Sequence, residues 1–249
     1  MEASIEMLEI AALEDKDCCI IATPHYICGS LPNGVEKVEG RLDKLKRAMV
    51  DRGLNIDLRR GCEIFLSMEV PELLECGEIS TLAGSSYVLV ELPVMSIYKY
   101  TADVLYKLKL KGFNPIIAHP ERYSEVIANP NCLLEFIQRG IYFQINASSL
   151  RGIYGKQIRE TALILLRHNM VHFVASDAHT CRSRSPKLLR AYELICSEAG
   201  CDIADRLFCR NGRAVLENRK LEVDEAIEVR KGIGYRVTNV MKKLLSINL

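Results

Sequence analysis

IIAHPERY, residues 116–123, runs from an apolar stretch straight into His119, Pro120, Glu121 and Arg122. The short apolar run suits a strand buried on both faces, and proline marks where it stops. An imidazole, a carboxylate and a guanidinium then stand at the strand end, which is more chemistry than a turn requires. The pattern recurs along the chain in CCIIATPH (18–25), GCEIF (61–65), YVLVELP (87–93) and VHFVASDAH (171–179). Each is an apolar run that delivers a His, Asp or Glu.

Between these runs the spacing of apolar residues predicts helices over 36–52, 71–76, 101–111, 131–139, 154–169 and 187–199, with shorter ones in 201–218. Strands are predicted over 18–23, 55–65, 87–92, 115–119, 141–146 and 171–176, and the chain opens inside a helix at 4–13. Alternating strand and helix without an internal repeat predicts one parallel α/β domain. Such folds collect reactive groups at the C-terminal ends of their strands. The residues expected there are His25, Glu63, Glu91, His119, Asn146, Asp177 and His179.

Composition narrows the classes. With 33 basic and 32 acidic residues, net +1, the chain lacks the basic excess of nucleic-acid binders. Its apolar runs are far shorter than the ~20 residues that cross a bilayer, which predicts a cytoplasmic protein. The ten cysteines are scattered without a C-x-x-C pair and read as reduced thiols.

Singly, each strand-end residue has an ordinary explanation: a hydrogen-bonded loop histidine, or a solvated or ion-paired carboxylate. Glu91, behind four apolar residues, needs a base or a metal beside it. Three imidazoles and three carboxylates at strand ends together suit Mn²⁺, Zn²⁺ or Fe²⁺ better than Mg²⁺ or Ca²⁺. Arg122 and Arg184 are candidate phosphate clamps, with Arg182 a competitor. His168 and His172 read as structural. A C-x5-R thiolate loop, a P-loop and a G-x-S-x-G elbow are all missing from the sequence, and the glycine-spaced RGIYGK at 151–156 reads as a loop.

ATPHY (22–26), GCEIF (61–65), VELP (90–93), AHPERY (118–123), FQINASSL (143–150) and ASDAH (175–179) together resemble the PHP (polymerase and histidinol phosphatase) superfamily. Within it they are similar to the manganese-dependent tyrosine-protein phosphatases of bacterial capsule and exopolysaccharide operons. The resemblance implies a distorted (β/α)7 barrel over 1–218 and up to three Mn²⁺ ions. Glu63, Glu91 and His119 would form one site, with Glu63 bridging to a second that uses Asp177. His25 and His179 would serve a third, and Arg122 and Arg184 would grip the phosphate. The implied substrate is phosphotyrosine in the tail of a bacterial tyrosine kinase. A small-molecule phosphoesterase such as a histidinol-phosphate phosphatase, or a catalytically impaired barrel that only binds the kinase tail, stand as alternatives.

Family members open with a strand carrying His-x-His and an acidic ligand after it, whereas this sequence enters at the following helix. The resemblance therefore implies a barrel without its first strand, with the Glu63–Glu91–His119 site complete and the other two short of ligands. Residues 219–249 carry seven Lys/Arg against four Asp/Glu, with apolar Ile227, Ile233, Val237, Val240, Leu244 and Leu245. They read as an amphipathic helical tail that packs on the barrel, joins a second copy of the chain, or lies on an anionic membrane surface.

Overall fold

The computed structural model describes residues 1–14 and 19–230. Its strands are β1 (Cys19–Ala22), β2 (His25–Tyr26), β3 (Asp57–Arg60), β4 (Glu63–Phe65), β5 (Tyr87–Glu91), β6 (Asn114–Ala118), β7 (Tyr142–Asn146) and β8 (Phe173–Ala175). β1 pairs with β3, and the others form one sheet in the order β2-β4-β5-β6-β7-β8. Every pairing is parallel.

The two-stranded piece continues the large sheet. Cys19 faces Asp57 and His25 faces Glu63, the same register on both sides of the break. Across it the Gly61 N–H donates to the Ala22 carbonyl and the Glu63 N–H to the Pro24 carbonyl. Residues 19–26 and 57–65 are thus two long strands, each bent in the middle. Pro24 has no N–H for the ladder. A Cβ on Gly61 would lie 2.6 Å from the Ile21 side chain, so glycine lets the bend close. The strand expected over 55–65 is present in two parts, and the bend separates a half-exposed first part from the buried Glu63 and Ile64.

The strands follow one another in sequential order without the reversal that marks the switch point of a doubly wound sheet. Among the described residues β2 and β8 are the sheet edges. They nevertheless converge, because the rings of His25 and His179 lie 6.1 Å apart. Alternate residues of each strand serve two cores. Val88, Val90, Ile117, Phe143 and Ile145 pack under Val104, Leu108 and Leu165 of the surrounding helices. Leu89, Ile116, Ala118 and Phe173 face the other way, with Leu82 and Val215. The opening helix Glu2–Glu14 packs Ile5 and Leu8 on Leu42 and Met49.

Three expectations change. The helix expected from 154 starts at Lys156, behind Gly155 at φ +95°, which leaves Tyr154 in a loop. Residues 219–230 form no helix. Their backbone is bonded to the body by side-chain amides: Asn211 to both polar groups around Glu222, Asn169 to the Glu225 carbonyl, and Asn131 to both the N–H and carbonyl of Val229. The remainder of the proposed tail helix, including Ile233 to Leu245, lies outside the described residues. Cys196 and Cys201, read as thiols, are disulfide-bonded where Gly200 at φ +97° turns one helix into the next.

Candidate functional site

Four chemistry-bearing residues meet at the C-terminal end of the sheet. The ligand-type atoms of His25, Glu63 and Glu91 all lie within 4.8 Å of one another. His119 Nε2 is 3.1 Å from Glu63 Oε1 and 3.4 Å from Glu91 Oε1, and His25 Nδ1 is 3.5 Å from Glu91 Oε2. The register explains the convergence: His25 pairs with Glu63, and Glu63 pairs with Leu89, two residues before Glu91, so neighbouring strands present the three side chains on one face in a staggered row. His119 caps β6 in the left-handed region, φ +38°, an uncommon conformation for a residue with a Cβ. Its N–H donates to the Gln144 carbonyl at 2.7 Å. Tyr123, fully buried, locks the same loop: its hydroxyl donates to the Ala118 carbonyl and accepts from the Leu92 N–H.

Burial opposes charge on His119, yet hydrogen bonds to Glu63 and Glu91 outweigh it and raise its pKa to about 9. Burial likewise opposes charge on Glu91, and His119 overrides it to lower that carboxyl's pKa. The proton on His119 supplies one positive charge to two converging carboxylates. His25 and His119 each also keep a buried Nδ1 without a hydrogen-bond partner. Two carboxylates and two imidazoles fit a divalent transition-metal ion, whose positive charge would take the place of the His119 proton.

A second cluster adjoins the first. Asp177, also left-handed at φ +47°, accepts from Arg184 Nη2 at 2.7 Å and from Asn146 Nδ2 at 2.7 Å. Arg122 Nη1 is 4.0 Å from the same carboxylate, and His179 Nδ1 is 3.4 Å from its other oxygen. The structure therefore groups His25 with Glu63, Glu91 and His119, and Asp177 and His179 with the two arginines. The two histidine rings bridge the groups. Arg182 is exposed and stands outside both.

Sequence reasoning left several supporting residues without a role. Glu121 is fully buried and accepts from the Asn146 N–H at 3.0 Å and the Ser149 hydroxyl at 2.5 Å, tying the His119–Arg122 loop to the end of β7. Burial raises its carboxyl pKa despite those bonds. The Arg122 guanidinium lies 5.1 Å from the Tyr154 ring centroid. Glu121 was visible inside IIAHPERY and Asn146 inside FQINASSL, but no spacing signal links them. His172 and His168 are structural as expected. His172 exchanges hydrogen bonds with the Phe143 backbone, accepting at Nδ1, and burial lowers its pKa to about 4. His168 Nδ1 bonds to the Ile164 carbonyl.

Comparison with known proteins gives consistent matches. The family model for capsular polysaccharide synthesis, CpsB/CapC, matches residues 1–217. Tyrosine-protein phosphatase YwqE of Bacillus subtilis is 33% identical over 234 residues, 93% of this chain and 91% of that protein. Tyrosine-protein phosphatase CpsB of Streptococcus pneumoniae is 30% identical over 202 residues, 79% of this chain and 83% of that protein. Among solved structures, one from the pair YwqE of Bacillus subtilis and CpsB of Streptococcus pneumoniae, described as unique metal-dependent tyrosine phosphatases, superposes with a TM-score of 0.87. That match is 33% identical and covers 92% of each chain.

Proposed function

The chain belongs to the CpsB/CapC family of capsular polysaccharide synthesis, and from that premise we propose that it removes phosphate from protein phosphotyrosine in a metal-dependent hydrolysis. The observation that carries this reading is the meeting of a buried carboxylate–imidazole cluster with an arginine pair at one sheet end. His25, Glu63, Glu91 and His119 would hold Mn²⁺, with Asp177 and His179 as further ligands. A metal held there would supply Lewis-acid chemistry and a means of activating water near neutral pH.

Arg122 and Arg184 bind the phosphate oxygens. Both are half-buried, so their charge is less screened than on an open surface. Planar guanidinium groups suit the equatorial oxygens of phosphoryl transfer, where charge spreads as the leaving phenolate departs. Arg184 now donates to Asp177, and a phosphate dianion offers it a second partner of the same kind. Glu121 and Tyr123 hold the loop that carries His119 and Arg122, so the loop keeps its geometry while substrate binds.

In this reading the sheet is six strands of a distorted (β/α)7 PHP barrel spanning 1–218, and the substrate is phosphotyrosine in the tail of a bacterial tyrosine kinase. The test is phosphate release from a phosphotyrosyl peptide with Mn²⁺. Turnover should fall at least about a hundredfold in Arg122→Ala, by loss of a transition-state clamp, and collapse in His119→Ala. Activity surviving His119→Ala, or equal turnover of histidinol phosphate, would overturn the proposal.

A further inference from the structure

Tyr154 lies in the glycine-spaced RGIYGK stretch that the proposed chemistry leaves unused. Gly152 and Gly155, at φ +80° and +95°, turn the chain on either side of it. The Ile153 N–H donates to the Ser148 carbonyl, which fixes the loop on the short helix Ala147–Leu150 that follows β7. The ring lies beside the Arg122 guanidinium, 5.1 Å from centroid to Cζ. The residue is half-buried, yet its hydroxyl is shut away from solvent and has no hydrogen-bond partner. The charges around that oxygen belong to Arg184, Asp177, Arg122 and Glu121. A buried hydroxyl that bonds to nothing is costly, and buried tyrosines usually find a partner. The ring faces Arg122, whose guanidinium lies 4.0 Å from the Asp177 carboxylate that Arg184 also bonds, so the unpartnered hydroxyl adjoins the arginine cluster.

We infer that Tyr154 is a third phosphate-binding group of the site: its ring face holds the Arg122 guanidinium, and its hydroxyl donates a hydrogen bond to a phosphate oxygen held by Arg122 and Arg184. The inference rests on the phosphatase reading above. The ring's negative face attracts the cation and limits its rotamers. The hydroxyl adds a neutral donor where a third cation would meet repulsion from the first two.

Inorganic phosphate is the probe, titrated calorimetrically into the full chain with Mn²⁺ at neutral pH, while p-nitrophenyl phosphate hydrolysis is followed in parallel. Tyr154→Phe should weaken phosphate binding about tenfold, the loss expected for one hydrogen bond to a charged group. Tyr154→Leu should weaken it about threefold more, as the ring face is lost. Both variants should keep wild-type melting and Mn²⁺ binding. Wild-type phosphate affinity in Tyr154→Phe would overturn the role of the hydroxyl. Equal affinity in the Leu and Phe variants would overturn that of the ring. If the wild type binds phosphate and the variants weaken it while p-nitrophenyl phosphate stays intact, the phosphatase reading fails and the role of Tyr154 stands. A wild-type chain that binds no phosphate overturns both.

Discussion

At the residue scale the site is built from groups that would be unstable apart. Glu63 is 5% exposed and His119 2%, so neither charge is well solvated. Their interaction makes the metal-free protein pH-sensitive. Folding raises the His119 pKa from 6.5 to about 9. That stabilisation, on the order of 3 kcal/mol, is complete below pH 6.5 and disappears as pH rises through about 9. In metal-free protein, the melting temperature should therefore drop between pH 6.5 and 9.5, and His119→Gln should flatten the drop. A profile identical in wild type and His119→Gln would refute the coupling. His172 has the opposite sign: with its pKa lowered to about 4, its contribution is complete above 6.5 and declines as pH falls toward 4. Its ring proton shifts in NMR should stay constant from pH 8 to pH 5, where an ordinary histidine titrates.

At the element scale, what places the candidate ligands is strand register together with two abrupt strand ends. Parallel pairing sets His25 beside Glu63, and the left-handed turns at His119 and Asp177 redirect the chain where each strand stops. The bend at Gly61 is the most exposed to substitution. Gly61→Ala would bring a Cβ to 2.6 Å from Ile21 and 3.0 Å from Thr23. Overpacking of this kind costs about 1–3 kcal/mol, and because Glu63 is two residues away, Mn²⁺ affinity should fall along with the melting temperature. A variant as stable as wild type, with unchanged Mn²⁺ binding, would mean the bend does not set the ligand's position. IIAHPERY announced its strand and its reactive end by apolar run and proline alone. The strand over 55–65 was legible, but its bend was not, since that depends on what lies across from Gly61.

At the scale of the whole molecule, residues 219–230 close the body by backbone hydrogen bonds to Asn131, Asn169 and Asn211, which lie far apart in sequence. Asn131→Ala removes both bonds to Val229, and amide exchange at Val229 and Ile227 should accelerate severalfold while sheet amides keep their protection. No change at those amides would show the segment is held otherwise. Residues 219–230 are not helical because side-chain amides that only the folded body brings into reach take up their backbone groups. None of the described helices is long and apolar enough to cross a membrane. The sequence by itself determined the alternation of strands and helices, the parallel sheet, and which residues stand at strand ends, because burial periodicity and chain breakers are local properties. Only the tertiary structure decided that His25 joins Glu63, Glu91 and His119, that Asp177 answers Arg184, that Glu121 ties the His119 loop to the end of β7, and that Tyr154 lies beside Arg122. Those pairings join residues dozens of positions apart, and their energies arise when folding excludes water from between them.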